Sequence, residues 1–155
     1  MMKVAYVLQS FLLAFALVFM LFCVFWAGIY SSYMQYYGIR EFFNPFFINV
    51  FNPVAFFICI GIFGIGLMIP FVYKLFRILF FVILACELTL FIPSFGLIVG
   101  GAFLGGEHSI VVNNESKRIH SLYENHRYIV YLSADSEDFE TRKRNLVYHE
   151  KPIAR

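Results

Sequence analysis

The sequence predicts an α-helical integral membrane protein with three transmembrane helices, a short interfacial helix and a small C-terminal α+β tail. Two observations carry this expectation. Hydrophobic residues fill 61% of the 155 positions and charged residues only 14%, against about 45–50% and ~25% in an average soluble domain. The charge is also segregated, since the last 49 residues hold 8 of the 12 Lys/Arg and 8 of the 10 Asp/Glu. The chain therefore divides into a transmembrane domain, residues 1–105, and a polar, water-facing tail, residues 106–155.

The first span is expected at residues 4–30. No charged residue occurs from Val4 to Ile39, and a spanning helix needs about 20 apolar residues. Lys3 ahead of this run imitates a secretory signal, but the apolar part is too long for a signal core and no Ala-x-Ala site follows it. Phe22 before Cys23 is likewise too large for a lipoprotein-type site, so the run reads as an anchor. Tyr30, Tyr33, Tyr36 and Tyr37 fit an aromatic belt at the membrane–water boundary.

The stretch NPFFINVFNP repeats an Asn-Pro pair eight residues apart. Asparagine favours the N-cap and proline the first helical position, where its missing N–H is unpaired anyway. Asn44-Pro45 is thus expected to start an interfacial helix over about residues 45–51, with Phe42, Phe43, Phe46, Phe47, Val50 and Phe51 at helical spacing. Asn52-Pro53 starts the second span, residues 54–73. A pore built from two re-entrant half-helices is the sharper alternative, but the pairs lie too close together to occupy two separate half-helices.

Lys74 and Arg77 are expected to mark a tight turn, and the third span runs over residues 78–104 with a kink at Pro93. Glu87 is the one charge inside that span, and inserting it costs on the order of 3 kcal/mol. Gln9 and Ser10 fall within about one helical turn of it in depth if both spans begin on the same side. The expected arrangement is therefore a Glu87–Gln9 or Glu87–Ser10 hydrogen bond between helices; a proton or cation site is the functional alternative. Gly96-x-x-x-Gly100 and Gly101-x-x-x-Gly105 offer faces for close helix packing, with Gly61, Gly64 and Gly66 able to receive them or a second copy doing so.

In the tail, 110–112, 128–132 and the stretch from Asn145 read as strands. Ile119, Leu122, Tyr123 and His126 follow helical spacing, with a strand as the alternative. Asp135 to Arg144 reads as a charged helix with Asp138–Arg142 and Glu140–Arg144 pairs. A tail this short rarely builds its own core, so it is expected to rest on the membrane, another subunit or a partner.

No catalytic, cofactor or metal site is expected. His108, His120, His126 and His149 match no zinc spacing, and Cys23, Cys59 and Cys86 all lie in apolar segments without a CxxC pattern. A net charge of +2 gives no footing for nucleic acid. The expected partners are the lipid bilayer and a protein partner or homo-oligomer. The expected place is the cell membrane, multi-pass, with the N-terminus cytoplasmic and the tail outside. Asn114-Glu-Ser forms a glycosylation triplet. The function expected is that of a non-catalytic accessory or structural subunit presenting its tail to a partner; the alternative is a small channel or proton/cation-coupled transporter using Glu87.

Overall fold

The long charge-free run leaves nothing to interrupt a helix, and one continuous helical segment forms. The computed structural model describes residues 4–112, 115–132 and 146–151. Helix α1 (Val4–Ile29) continues through a π-helical turn at Tyr30–Met34 into the short α2 (Gln35–Tyr37). The whole segment, Val4–Tyr37, is long and apolar enough to cross a membrane. It ends where Gly38 takes a left-handed φ of 72°. The Gly38 and Ile39 N–H groups then donate back to the Gln35 and Met34 carbonyls, and buried Ile39 closes the end.

Helix α3 (Phe43–Val50) starts two residues before the position expected from Pro45. Phe42 is its N-cap, so Asn44 sits inside the first turn with no capping bond, and Pro45 still falls where a missing N–H is harmless. Helix α4 (Pro53–Met68) starts as an Asn-Pro pair should: Pro53 is its first residue and the Asn52 side chain accepts from the Ala55 N–H at 3.1 Å.

Proline also ends what the spacing left open. The ring pushes the preceding residue out of the helical region, and Asn52, Ile69 and Ile92 have ψ of 104°, 113° and 121° ahead of Pro53, Pro70 and Pro93. Helix α4 therefore stops at Met68 rather than residue 73. Helix α5 (Tyr73–Leu88) begins five residues earlier than expected, which places Lys74 and Arg77 in its first turns rather than in a connecting turn. A 3-10 turn at Thr89–Phe91 follows, and Pro93 opens a new helix, α6 (Pro93–Leu104), instead of kinking the old one. The two segments meet at 99°, and α3 meets α4 at 76°. Each bent pair passes the length and apolarity test for a span only when its two helices are counted together.

The tail folds as a four-stranded antiparallel sheet, β1 (Gly106–Val112), β2 (Glu115–Glu124), β3 (Tyr128–Leu132) and β4 (Leu146–Glu150), in that spatial order. Residues 115–124 are thus a strand, and the helical spacing there has a local cause. A bulge between Ser121 and Tyr123 shifts the register, which puts both Leu122 and Tyr123 into the same core. The charged stretch 135–144 lies outside the described residues, as does Asn114.

Two of the apolar cores among the described residues involve the helices. One joins α1, α4 and α5 through Ala14, Val18, Leu21, Phe56, Ile60, Phe63 and Phe80. The other joins the end of α1, the π-turn and α3 to the sheet through Trp26, Ile29, Tyr33, Met34, Phe46, Leu122, Tyr123 and Val130. The sheet thus rests on the helices of its own chain.

Candidate functional site

Between these cores lies a cavity of about 930 Å³. Its walls are α1 (Val18 to Trp26), α4 at Ala55, Cys59 and Phe63, and α5 at Ile83 and Glu87. Phe103 and Leu104 close it from α6, and the sheet forms its polar end with His108, Glu124, Asn125, His126 and Lys151. The α3–α4 corner adds Asn49, Val50 and Asn52. Large apolar rings with a few convergent polar groups are the usual make-up of a small-molecule site.

At the polar end every charge is answered. The Glu124 carboxylate takes the Lys151 ammonium on one oxygen and lies 2.9 Å from His108 Nε2 on the other. Asn49 Nδ2 donates to the Glu124 carbonyl at 3.0 Å and to the Tyr123 hydroxyl at 3.4 Å, tying α3 to the sheet. Just behind, the Glu41 carboxylate accepts from Asn125 Nδ2 at 3.3 Å and from the Tyr128 hydroxyl at 3.2 Å. Asn125 Oδ1 in turn accepts from the N–H groups of Arg127 and Tyr128, which fixes the β2–β3 turn. Burial, then the neighbouring Glu41 charge, pushes the Tyr128 hydroxyl up to about 12. Burial first and a hydrogen bond with Glu41 second push Tyr123 up as well. Both phenols are therefore locked as neutral donors.

At the helical end the situation is reversed. Glu87 lines the cavity, and its Oε2 is buried with no hydrogen-bond partner among the described residues. The expected Glu87–Gln9 and Glu87–Ser10 contacts do not form. The Ser10 hydroxyl donates to the Tyr6 carbonyl of its own helix at 3.0 Å. Gln9 and Ser10 instead line a separate cavity of about 390 Å³ with Tyr73 and Leu67. The reason is the earlier start of α5: Glu87 lies 14 residues beyond Tyr73, about 21 Å along the helix, level with Val18–Trp26 rather than with Gln9.

Four of the expected packing glycines are met closely from within the chain. Gly96 packs on Ser32 and the Leu90 carbonyl, and Gly100 on the Tyr33 ring, so α6 lies tight against the π-turn. Gly64 meets Phe11 and Gly66 meets Phe76. Gly101 has only the edge of Tyr33 near it, and Gly105 approaches its own Gly101 carbonyl. No His/Cys/Asp/Glu group able to hold a metal forms among the described residues. Comparison with family models, curated proteins and solved structures finds no match to this chain.

Proposed function

We propose that the chain is a multi-pass membrane protein acting as a non-catalytic accessory or structural subunit. Its spans are built on α1, the α3–α4 pair and the α5–α6 pair, and the N-terminus and sheet lie on opposite faces, cytoplasmic and outer. The observation that carries this reading is the apolar surface left open by the fold. Leu8 and Leu12 on α1, Ile58 and Ile62 on α4, and Ile78 and Phe81 on α5 stay 55–62% exposed. Apolar surface continuing around three helices needs lipid or another protein to cover it. Gly61 on α4 has open space beside it, where a helix of a partner or a second copy can approach closely. The sheet adds a stage at the membrane face, held rigid by its seam with α1 and α3.

Two measurements test this. A cysteine at exposed Arg118, with Cys23, Cys59 and Cys86 replaced, should react with an impermeant thiol reagent on intact cells; labelling only after lysis reverses the orientation. Native mass spectrometry of the extracted protein should show a second protein or second copy at fixed stoichiometry, and a lone chain counts against the subunit reading. A transport reading is favoured by a different observation, the unpartnered carboxyl of Glu87 in a cavity that reaches the polar end. Cation or proton flux in vesicles holding the isolated chain, lost in Glu87→Gln, would establish that reading instead.

A further inference from the structure

A buried carboxyl oxygen without a partner is an expensive feature in an apolar setting, and charged groups inside a membrane normally face a partner or a water-filled cavity. Glu87 faces the cavity, and its Oε2 finds no donor among the described residues. Among the described residues no ion pair reaches Glu87. Of the basic groups lining the cavity, Lys151 and His108 are engaged by Glu124, and His126 lies with them at the sheet end. Glu87 is therefore the acidic group of the cavity without an ion-pair partner among the described residues.

The walls around this position are aromatic. Phe22, Phe25 and Trp26 on α1, Phe63 on α4 and Phe103 on α6 all line the same space. Phe25, Trp26 and Phe103 meet edge to face at 5.0–6.1 Å between centroids, which holds their orientations. Ring faces attract cations through their quadrupole, and rings with a desolvated carboxylate suit an apolar cation better than a hydrated metal ion. A hard cation such as Ca²⁺ would want six or more oxygen ligands, whereas Glu87 supplies one carboxyl among carbon atoms. A volume of about 930 Å³ also matches a drug-sized organic molecule rather than an ion.

We propose that this cavity is a binding site for a lipophilic organic cation, with its charge against the Glu87 carboxylate and its apolar body among Phe22, Phe25, Trp26 and Phe103. An anionic amphiphile is disfavoured at the helical end, because the carboxyl group there is the unpaired Glu87. The inference goes beyond both functional readings above, since a bound cation serves a regulated subunit and a transporter alike.

The chain carries its own reporter. Trp26 is the single tryptophan and lines the cavity. The full chain, in nanodiscs of zwitterionic phosphatidylcholine, is titrated with tetraphenylphosphonium while Trp26 fluorescence is followed. Tetraphenylborate, an anion of nearly the same size and shape, serves as the charge control. The expected result is a saturable change with the cation and none with the anion. Glu87→Gln should weaken the cation roughly tenfold, as expected for the loss of one desolvated charge pair. Ala55→Phe, which adds bulk to the cavity from α4 and leaves the Glu87 side chain in place, should abolish saturation. Equal saturable responses to cation and anion would overturn the proposal and point to an uncharged acyl chain as the occupant. Undiminished cation affinity in Glu87→Gln would overturn it too. The wild-type cation-against-anion comparison decides the matter even if a variant fails to fold. It is made on the isolated chain, so its outcome is separate from whether a partner is found.

Discussion

The two ends of the helical bundle are held by different kinds of force. Where α1, α4 and α5 meet, contact is almost wholly apolar, with Phe56 touching Phe15, Phe19, Phe22 and Phe51 in one aromatic cluster. Where α1 and α3 meet the sheet, apolar packing is joined by directed hydrogen bonds from Tyr33, Asn49, Tyr128 and Asn125. Contact between apolar helix faces depends on how closely their surfaces fit. At the sheet, polar groups removed from water must each find a partner. Helix fit sets distance, and the hydrogen-bonded seam sets register.

The contact that joins both regimes should be the most sensitive. Gly96 of α6 lies on Ser32 of the π-turn, and a Cβ there would run into the Ser32 hydroxyl and the Leu90 carbonyl. Backbone cannot give way as a flexible side chain can. Gly96→Val is therefore expected to cost about 3 kcal/mol, read as a large fall in Tm in detergent. Gly101→Ala, with only the Tyr33 edge at 3.9 Å, should change Tm little. Equal effects would mean that α6 is not clamped at the π-turn.

A smaller effect isolates direction from fit. The Tyr33 hydroxyl donates to the Leu122 carbonyl at 3.0 Å in a buried position, and Tyr33 is 1% exposed. Tyr33→Phe keeps the ring against Gly100 but leaves that carbonyl unpaired, which costs about 2 kcal/mol. The loss should appear in hydrogen exchange as faster opening of β2 and β3, with α4 and α5 protected as before. Uniform loosening of the whole chain would argue that helices and sheet form a single cooperative unit instead.

The same contrast explains what the sequence made legible. Local rules worked where one residue decides: Asn52 caps α4 and Pro53 follows it, whereas the long helix runs past the expected end at Tyr30 to Tyr37, where Gly38 stops it. The rule for residues before proline would also have moved the other boundaries, since Ile69 and Ile92 are both extended. Pro93 was read instead as a kink inside a helix. Asn44 escaped its expected role because Phe42 took the extended conformation first, leaving Asn44 and Pro45 in the opening turn. The bulge at Ser121–Tyr123 imitates helical spacing by turning two consecutive side chains inward. Longer-range features gave no local sign. Tyr33 and Leu122 are 89 positions apart, and Glu41 and Asn125 are 84. The cavity draws walls from most of the helices and from the sheet, so only Glu87, an acid in an apolar run, hinted at it. Gln9 and Ser10 do not reach Glu87 because α5 starts at Tyr73, which carries Glu87 past their level.

Charge at the seam should matter next. Glu41→Gln retains the shape but replaces charge-assisted acceptance from Asn125 and Tyr128 with neutral hydrogen bonding, a loss of about 1 kcal/mol. Alkaline pH should act on the same contacts. The Tyr128 hydroxyl is raised from 10.0 to about 12 in the fold, by burial first and then by Glu41, and Tyr123 is raised as well. Above the unfolded value the folded chain holds more protons than the unfolded one, so stability falls as pH rises. The stabilising contribution is intact below pH 10 and is lost as pH climbs towards about 12 for Tyr128. Tyrosinate absorbance followed with circular dichroism should show these phenols ionising together with loss of the sheet. Ionisation with the sheet intact would mean that their hydroxyls are open to water.

The smallest effect is expected where the seam meets solvent. Glu124 bridges Lys151 and His108, but the side chains are 35%, 30% and 31% exposed, so water screens the attraction. Glu124→Gln should cost about 0.5 kcal/mol or less, and added salt should erase most of the difference. Its packing role is separate, because the Asn49 side chain bonds the Glu124 carbonyl rather than the carboxylate. The substitution therefore removes the ion pairs and keeps the tie between α3 and the sheet. A loss as large as that of Tyr33→Phe would place Glu124 among the groups that set register. It would also mean that the polar end of the cavity is drier than its exposure indicates, and would move the boundary between the two regimes outward to the mouth of the cavity.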